Sequence, residues 1–367
     1  MMTRQKFLYS SAALAAAPLG LAACSPANSP SGYEAAVKEI WRPSSGRLES
    51  AQAIQQELVR SATLAPSSHN TQAWKFHIAP SSIAILPDFS RRTPVVDPDD
   101  HHLFATLGCA LANMEEASLA YGLKSQPRFD TAKNTLLVQL EQTKAIASPL
   151  YTAIPNRQCT RGPYDGTQLS TAELKLLEVA GTGNGVRVML FTAKPEIEKL
   201  LALVIEGNTA QMQDAAFVKE LKQWLRFSGS QAVATGDGLY SASSGNPSLP
   251  RWLGSMMFDI MFKAKSENDK YAEQTRSSAG IAVFVSDTDD KTHWIEAGRC
   301  YERFALQATA LGIRNAMLNQ AVEVPAVRQQ TVAFLGLKAG RPDLVVRFGR
   351  GEKMPQSLRR SQQSVLV

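Results

Sequence analysis

Four short stretches carry side chains whose types and spacing could do chemistry. Residues 62–76 read Ala-Thr-Leu-Ala-Pro-Ser-Ser-His-Asn-Thr-Gln-Ala-Trp-Lys-Phe. Pro66 stops the helix that runs into it, and Ser67, Ser68, Asn70 and Gln72 then offer a row of hydroxyl and amide groups. Such a row suits the edge of a planar heterocycle, where donors and acceptors alternate, but it is equally a polar turn that ends a helix. Residues 154–161, Ile-Pro-Asn-Arg-Gln-Cys-Thr-Arg, hold the Thr160 hydroxyl between Arg157 and Arg161. Two forked guanidiniums at that spacing suit a phosphate, and a surface loop with incidental arginines is the alternative. Arg347-Phe348-Gly349-Arg350-Gly351 releases Arg347 and Arg350 close together, with glycines that let backbone approach a ligand. With Arg157 and Arg161 it would complete a phosphate clamp. Leu318-Asn319-Gln320 supplies an amide pair able to read a ring edge or fill a turn.

Other patterns fail on context. Gly181-Thr182-Gly183-Asn184-Gly185 follows a helical run and precedes a strand, the reverse of what a dinucleotide fingerprint needs. Ser68-His69 lacks the Gly-x-Ser-x-Gly elbow of a serine hydrolase. Asp99, Asp100, His101 and His102 could ligate a metal, but as the start of a helix they are better read as caps, so no metal is expected. No catalytic acid or base stands out.

The elements that position these stretches follow from periodicity. A helix from about Ser50 stacks Ile54, Leu58 and Ala62, and a strand leaves at Trp74, Phe76 and Ile78. A short strand at 83–86, a long helix from about His101 to Tyr121 closed by Gly122, and a strand at 134–141 follow. The order then starts again. A helix capped at Ser170 or Thr171, a strand at 186–191, helix over 195–226, a strand at 279–286, a long helix from about Thr292 closed by Gly312, a short helix near 324–334 and a strand at 344–348 are expected. The opening glycines of the two long helices, 108 and 298, and the closing glycines, 122 and 312, share an offset of 190. A repeated order and a shared offset favour an internal duplication that packs as a pseudo-dimer within one chain.

At the N-terminus, Arg4 and Lys6 precede an apolar run, 7–21, and Leu21-Ala22-Ala23-Cys24 ends it. This reads as a signal over 1–23 with a lipobox, giving a lipid anchor at Cys24 on the periplasmic side of the envelope. Thr3-Arg4-Gln5-Lys6-Phe7-Leu8 resembles a twin-arginine (Tat) signal with Gln5 in place of the second arginine. A flexible tether is expected over 24–45. Cys109, Cys159 and Cys300 form no disulfide framework or zinc spacing. Of 367 residues 44% are hydrophobic and 20% charged, and the net charge is +6. The basic residues are scattered, so nucleic acid is not an expected partner.

Ala65-Pro66-Ser67-Ser68-His69-Asn70-Thr71-Gln72-Ala73-Trp74 resembles the A-P-S-x-x-N-x-Q-P-W pattern of nitroreductase-like flavoproteins, with Ala73 replacing proline. Residues 156–161 resemble that superfamily's R-R-S-x-R motif, and 347–351 its C-terminal basic strand end. The arrangement is closest to the single-chain, internally duplicated Acg-like subgroup. The resemblance implies an α+β fold of two fused nitroreductase-like copies, with mixed or antiparallel sheets flanked by helices. The expected division is 46–150 and 151–355, with a C-terminal tail over 356–367. It implies FMN bound between copies: Pro66, Ser67, Ser68, Asn70 and Gln72 from the first, Arg157, Thr160, Arg161, Asn319, Arg347 and Arg350 from the second. A nicotinamide or other donor and a small quinone or nitro acceptor follow, in a monomer with one flavin per chain. The Gly- and Ser-rich insertion at about 226–278 is expected to lie over the flavin as a lid or to be a surface excursion. If the lid closes the site, a flavin-sequestering protein with little turnover is the alternative.

Overall fold

The computed structural model describes residues 30–367 except 45 and 47; the expected signal, lipobox and start of the tether lie outside the described residues. Where the tether was to continue, residues form a helix, α1 (Pro30–Ile40). It is held because Val37, Ile40 and Trp41 seat against Leu64, Ile154 and Leu306, and Tyr33 lies 4.8 Å from Tyr240. Apolar burial of this kind outweighs the entropy of a short free segment.

Ser50 caps α2 (Ala51–Thr63), whose Leu58, Val59 and Ala62 are fully buried. Strands β1 (Trp74–Ala79) and β2 (Ser82–Pro87) form a tight antiparallel hairpin. The long helix α3 (His101–Ala120) is capped by Asp97, whose carboxylate accepts the His102 and Leu103 N–H groups. Asp100 instead takes a left-handed conformation and pairs with Arg92. A strand not expected from sequence, β3 (Leu123–Asp130), pairs with β4 (Thr135–Gln142); its polar face is exposed, so it lacks a clear apolar alternation.

The second half opens with α4 (Pro149–Ala153), α5 (Thr171–Ala180), whose N-terminus is a Ser170–Glu173 capping box, and β5 (Val186–Phe191). Then come α6 (Lys194–Gln213) and α7 (Ala215–Trp224), one helix in expectation but broken where Asp214 leaves helical geometry to cap α7. Segments β6 (Leu225–Arg226), α8 (Gly229–Thr235), β7 (Leu239–Tyr240), α9 (Arg251–Met261) and α10 (Ala264–Arg276) follow. The chain closes with β8 (Gly280–Ser286), α11 (Lys291–Ala310), β9 (Arg314–Met317), α12 (Gln320–Glu323), α13 (Pro325–Phe334) and β10 (Arg341–Gly349).

The two four-stranded sheets have orders β1-β2-β4-β3 and β5-β8-β10-β9, both antiparallel throughout. Position for position these are one topology, with α3 matching α11. The fold is therefore α+β, two fused copies around one shared core. Two residues, Pro80 and Ser81, join β1 to β2, whereas 192–279 separate the matching β5 and β8. The insertion thus includes α6 and α7 and begins well before residue 226. In the centre, a Cβ on Gly108 would lie 1.8 Å from the Ile295 carbonyl oxygen, and one on Gly298 would lie 1.8 Å from that of Ala105.

Residues 356–367 are no free tail. Leu358, Arg359 and Val365 are buried, and Val365 and Val367 exchange backbone hydrogen bonds with Phe76 at 2.8 and 3.0 Å. The strap occupies an edge of β1 that would otherwise expose unpaired backbone groups.

Candidate active site

The loop between α2 and β1 is unusual in its backbone. His69, Asn70 and Gln72 all have positive φ, at 47°, 53° and 55°. Side chains resist this region, so surrounding bonds must hold the loop in it. Asn70 Nδ2 donates to the Gly238 and Leu358 carbonyls, and its Oδ1 accepts from Arg359. Gln72 Nε2 donates to the Gly236 carbonyl while its Oε1 accepts the Arg360 N–H. Arg359 also donates to the carbonyls of Thr63, Leu64 and Ala65, which end α2 without helical partners. Asn70 and Gln72 therefore fix the loop to the insertion and the C-terminal strap.

Behind this loop lies a cavity of about 270 Å³. Pro66, Ser67, Ser68 and His69 form one wall, and the small residues Ala105, Thr106 and Cys109 of α3 form its floor. The second half contributes Arg161, Asn319, Gln320 and Arg347, and the insertion closes over them with Leu239, Phe262, Lys270 and Tyr271. An adjoining chamber of about 50 Å³ shares Pro66, Ser67, Cys159 and Arg161 and adds Asn70, Arg157 and Arg359. The halves thus meet at one site, with Arg161 on both chambers.

Three expected residues stand elsewhere. Arg350 pairs with Glu173 at 2.5 Å and donates to the Leu311 carbonyl, so it closes the end of α11. Thr160 is buried; its hydroxyl donates to Gln158 Oε1 and its carbonyl accepts from Tyr164 and Arg347. Gln72 lines neither chamber, for the reasons above. Arg157 reaches the smaller chamber but is neutralised by buried Glu302 at 3.0 Å.

Arg347 differs in kind. It is buried, donates to the carbonyls of Thr160, Gly162 and Gln274, and stacks 4.1 Å from the Tyr164 ring centroid. Among the described residues no carboxylate lies within ion-pair distance of Arg347 or Arg161. Burial, together with nearby Arg161, lowers the Arg347 pKa from its ordinary value. Burial and Arg161 likewise hold His69 near 4, a neutral ring. Burial and Arg157 push Arg359 down to about 9. Burial leads in each shift, and for Arg347 and His69 the guanidinium of Arg161 adds to it, a positive field that an anion would relieve.

The opposite wall is held in one orientation. Asn319 Oδ1 accepts the Val345 N–H, which turns Nδ2 toward His102 Nε2 at 3.3 Å. His102 Nδ1 faces Asp97 at 3.6 Å; burial opposes a charge on the ring, but the bond to Asp97 and its charge raise the His102 pKa above the ordinary value. Asp97, His101 and His102 offer atoms within 4.8 Å of one another, yet Asp97 is engaged with two N–H groups and His102. Gln320 Oε1 and His69 Nδ1, both on the cavity wall, are buried without a hydrogen-bond partner.

The duplicated position on the other side is filled. By the offset of 190, Glu296 and Arg299 stand where Thr106 and Cys109 open the first site. Arg299 pairs with Glu115 at 2.7 Å and with Glu296 at 3.0 Å. Gly183 lies so close that a Cβ there would meet Glu296 Oε1 at 2.1 Å. By register, Gln139 pairs with Gln126 as Arg347 pairs with Ala316, so the matching arginine is also missing.

Sequence reasoning did not single out His69, His102, Cys159, Lys270, Tyr271 or Arg359 as site residues. The available signals were the small face Ala105-Cys109 and the pair Lys270-Gln274, each one helical turn apart.

No family model matches the chain. It is 24% identical over 317 residues to proteins named as candidate NAD(P)H nitroreductases in two Mycobacterium tuberculosis strains, H37Rv and CDC 1551, covering 83% of this chain and 88% of theirs. Among solved structures, an FMN-bound nitroreductase from Bacteroides fragilis aligns at 14% identity and a TM-score of 0.35, covering 56% of this chain and 89% of that one. An FMN-bound nitroreductase from Desulfitobacterium hafniense aligns at 13% identity and 0.37, covering 59% and 95%. The chain is thus similar over most of its length to the two mycobacterial proteins.

Proposed function

We propose that this chain is an FMN-dependent oxidoreductase of nitroreductase type, with one flavin site per chain, reducing a small quinone, nitro or related acceptor. NAD(P)H, or another reductant outside the cytoplasm, is the donor. The single observation that carries the reading is the pair Arg161 and Arg347. Both line a cavity also walled by Pro66, Ser67 and Ser68, and neither has a carboxylate partner among the described residues. FMN fits these residues: Arg161, Arg347 and Lys270 would hold the phosphate, and Ser67, Ser68, Asn319 and Gln320 the ring edge. The orphaned Gln320 oxygen supports this, since a buried acceptor without a donor costs about 1–3 kcal/mol unless a ligand supplies one. When bound, the flavin supplies hydride chemistry, and the protein supplies position and field. The insertion excludes water. Lipidation at Cys24 would hold the protein on the periplasmic face of the envelope, as a monomer that acts as its own dimer.

The deciding experiment is the visible spectrum of freshly purified protein. A yellow protein bleached by NADPH or dithionite and recoloured by a quinone is expected. A colourless protein indifferent to added FMN overturns the reading. The cover formed by Phe262, Lys270 and Tyr271 favours a second reading, flavin sequestration. A yellow protein bleached by dithionite but by no nicotinamide, and inert to acceptors, would support it.

A further inference from the structure

Helix α9 turns an apolar face outward. Trp252, Met256 and Ile260 recur every four residues and are 71%, 46% and 59% exposed; Met261 beside them is 61% exposed. On the opposite side Gly254 packs so closely on Phe227 that a Cβ there would lie 2.6 Å from its side chain. A core-facing helix would put this stripe inside. Instead it protrudes, with exposed Arg251 at its start and exposed Lys263 just past its end. Among the described residues neither cation has an ion-pair partner. An apolar stripe with an aromatic residue and unpaired cations at both ends is what a helix lying in a lipid interface requires.

We propose that α9 is a membrane-docking helix that seats the covering side of the cavity on the bilayer. This rests on the lipid-anchor reading of Cys24. Five residues lie between Cys24 and Pro30, the first residue of α1, so six Cα–Cα steps join them. Fully extended, they span roughly 20 Å. The first turn of α1 is fixed to the insertion: Tyr33 packs on Gly229 and Tyr240, while Gly254 of α9 packs on Phe227, two residues before Gly229. A lipid at Cys24 would therefore lie within that reach of the start of α1, which packs on the segment that backs α9. A lipid at Cys24 brings that face within reach of the bilayer surface, and the alternative occupants, a second copy or residues 1–29, are separable outcomes. Phe262, which follows α9, lines the cavity. Docking thus sets the covering segment at the interface where a lipid-soluble quinone is concentrated.

The test uses lipidated full-length protein in phosphatidylethanolamine–phosphatidylglycerol vesicles whose acyl chains are brominated, with tryptophan emission as readout. Quenching is expected, and Trp252→Phe should abolish it while leaving the thermal midpoint and flavin content unchanged. Ile260→Glu should also reduce the quenching and slow reduction of a bilayer-dissolved quinone, but not of a water-soluble nitroarene. Protein that floats with the vesicles but shows the same emission in plain and brominated lipid overturns docking and leaves the anchor standing. Protein whose mass carries no lipid and which does not float overturns both. A dimer by sedimentation, with Trp252 shielded in the absence of vesicles, assigns the face to a second copy.

Discussion

Gly108 and Gly298 face each other across the crossing of α3 and α11, each set against the carbonyl oxygen three residues ahead of its counterpart. The contact is reciprocal, as at a two-fold axis, although it lies within one chain. No side chain fits at either position, so the helices approach as closely as their backbones permit. The floor of the cavity, Ala105, Thr106 and Cys109, lies on this same stretch of α3.

Gly108→Ala and Gly298→Ala should therefore cost similar amounts, about 3 kcal/mol or more each, because either methyl would overlap a backbone oxygen. Urea unfolding measures this. An unchanged midpoint for either variant would contradict the crossing.

Flavin content should approach one per chain and stay well below two. Enlarging the matching position by Glu296→Ala together with Arg299→Ala should not create a second site, because the position matching Arg347 is Gln139. Flavin absorbance per mole of protein decides it.

Arg161→Ala and Arg347→Ala should each weaken FMN binding about 10- to 100-fold, the worth of one charge-assisted contact. Arg350→Ala should change it by less than about twofold, since its partner is Glu173 on a partly exposed surface. Fluorescence titration of apoprotein would expose the opposite ranking, and with it an incorrect site.

The pH dependence of stability should show Asp97. Burial opposes its charge, but the bonds and charge of His102 hold its pKa down to about 2, against a reference of 3.8. A lowered acid contributes stability that is complete above about pH 4 and fades as pH falls toward 2, about 2.5 kcal/mol in all. Asp97→Asn should be less stable at pH 6 and should lose less between pH 4 and pH 2. Equal losses in variant and parent would dismiss the assignment.

Arg359→Ala should act on the loop through structure. It strips the Thr63 and Ala65 carbonyls of Arg359 as donor and leaves the Leu64 carbonyl to Arg157 alone, a loss of about 2 kcal/mol or more. FMN affinity should fall with it, although Arg359 lies in the smaller chamber. Full affinity in this variant would show that the strained loop holds itself.

Much of this architecture was legible. The offset of 190 between glycine pairs anticipated the duplication, and the crossing supplies the reason for the glycines at 108 and 298, because so close a helix contact admits no other residue. The strands at 74–79 and 186–191 were readable because one face of each is apolar. Strand β3 was not, because exposed Lys124, Gln126, Pro127 and Arg128 hide it. In the site, residue type separated Arg347 from Arg350 poorly. Only the position of Glu173 shows that one guanidinium is spoken for and the other is not. Asn70 and Gln72 match a binding motif in letters, yet their partners, Gly236, Gly238 and Arg359, are far away in sequence and carry no local signal.

The strap over β1 has a consequence for the order of events in making this protein. The loop at 66–72 is among the earliest parts of the site to be synthesised, and Arg359 is the latest. Until residue 359 is in place, the Thr63 and Ala65 carbonyls at the end of α2 lack the Arg359 donor and the Asn70 Oδ1 lacks its partner. A nascent chain therefore has no finished cavity. A flavin held as proposed would be acquired only after nearly the whole polypeptide has been made.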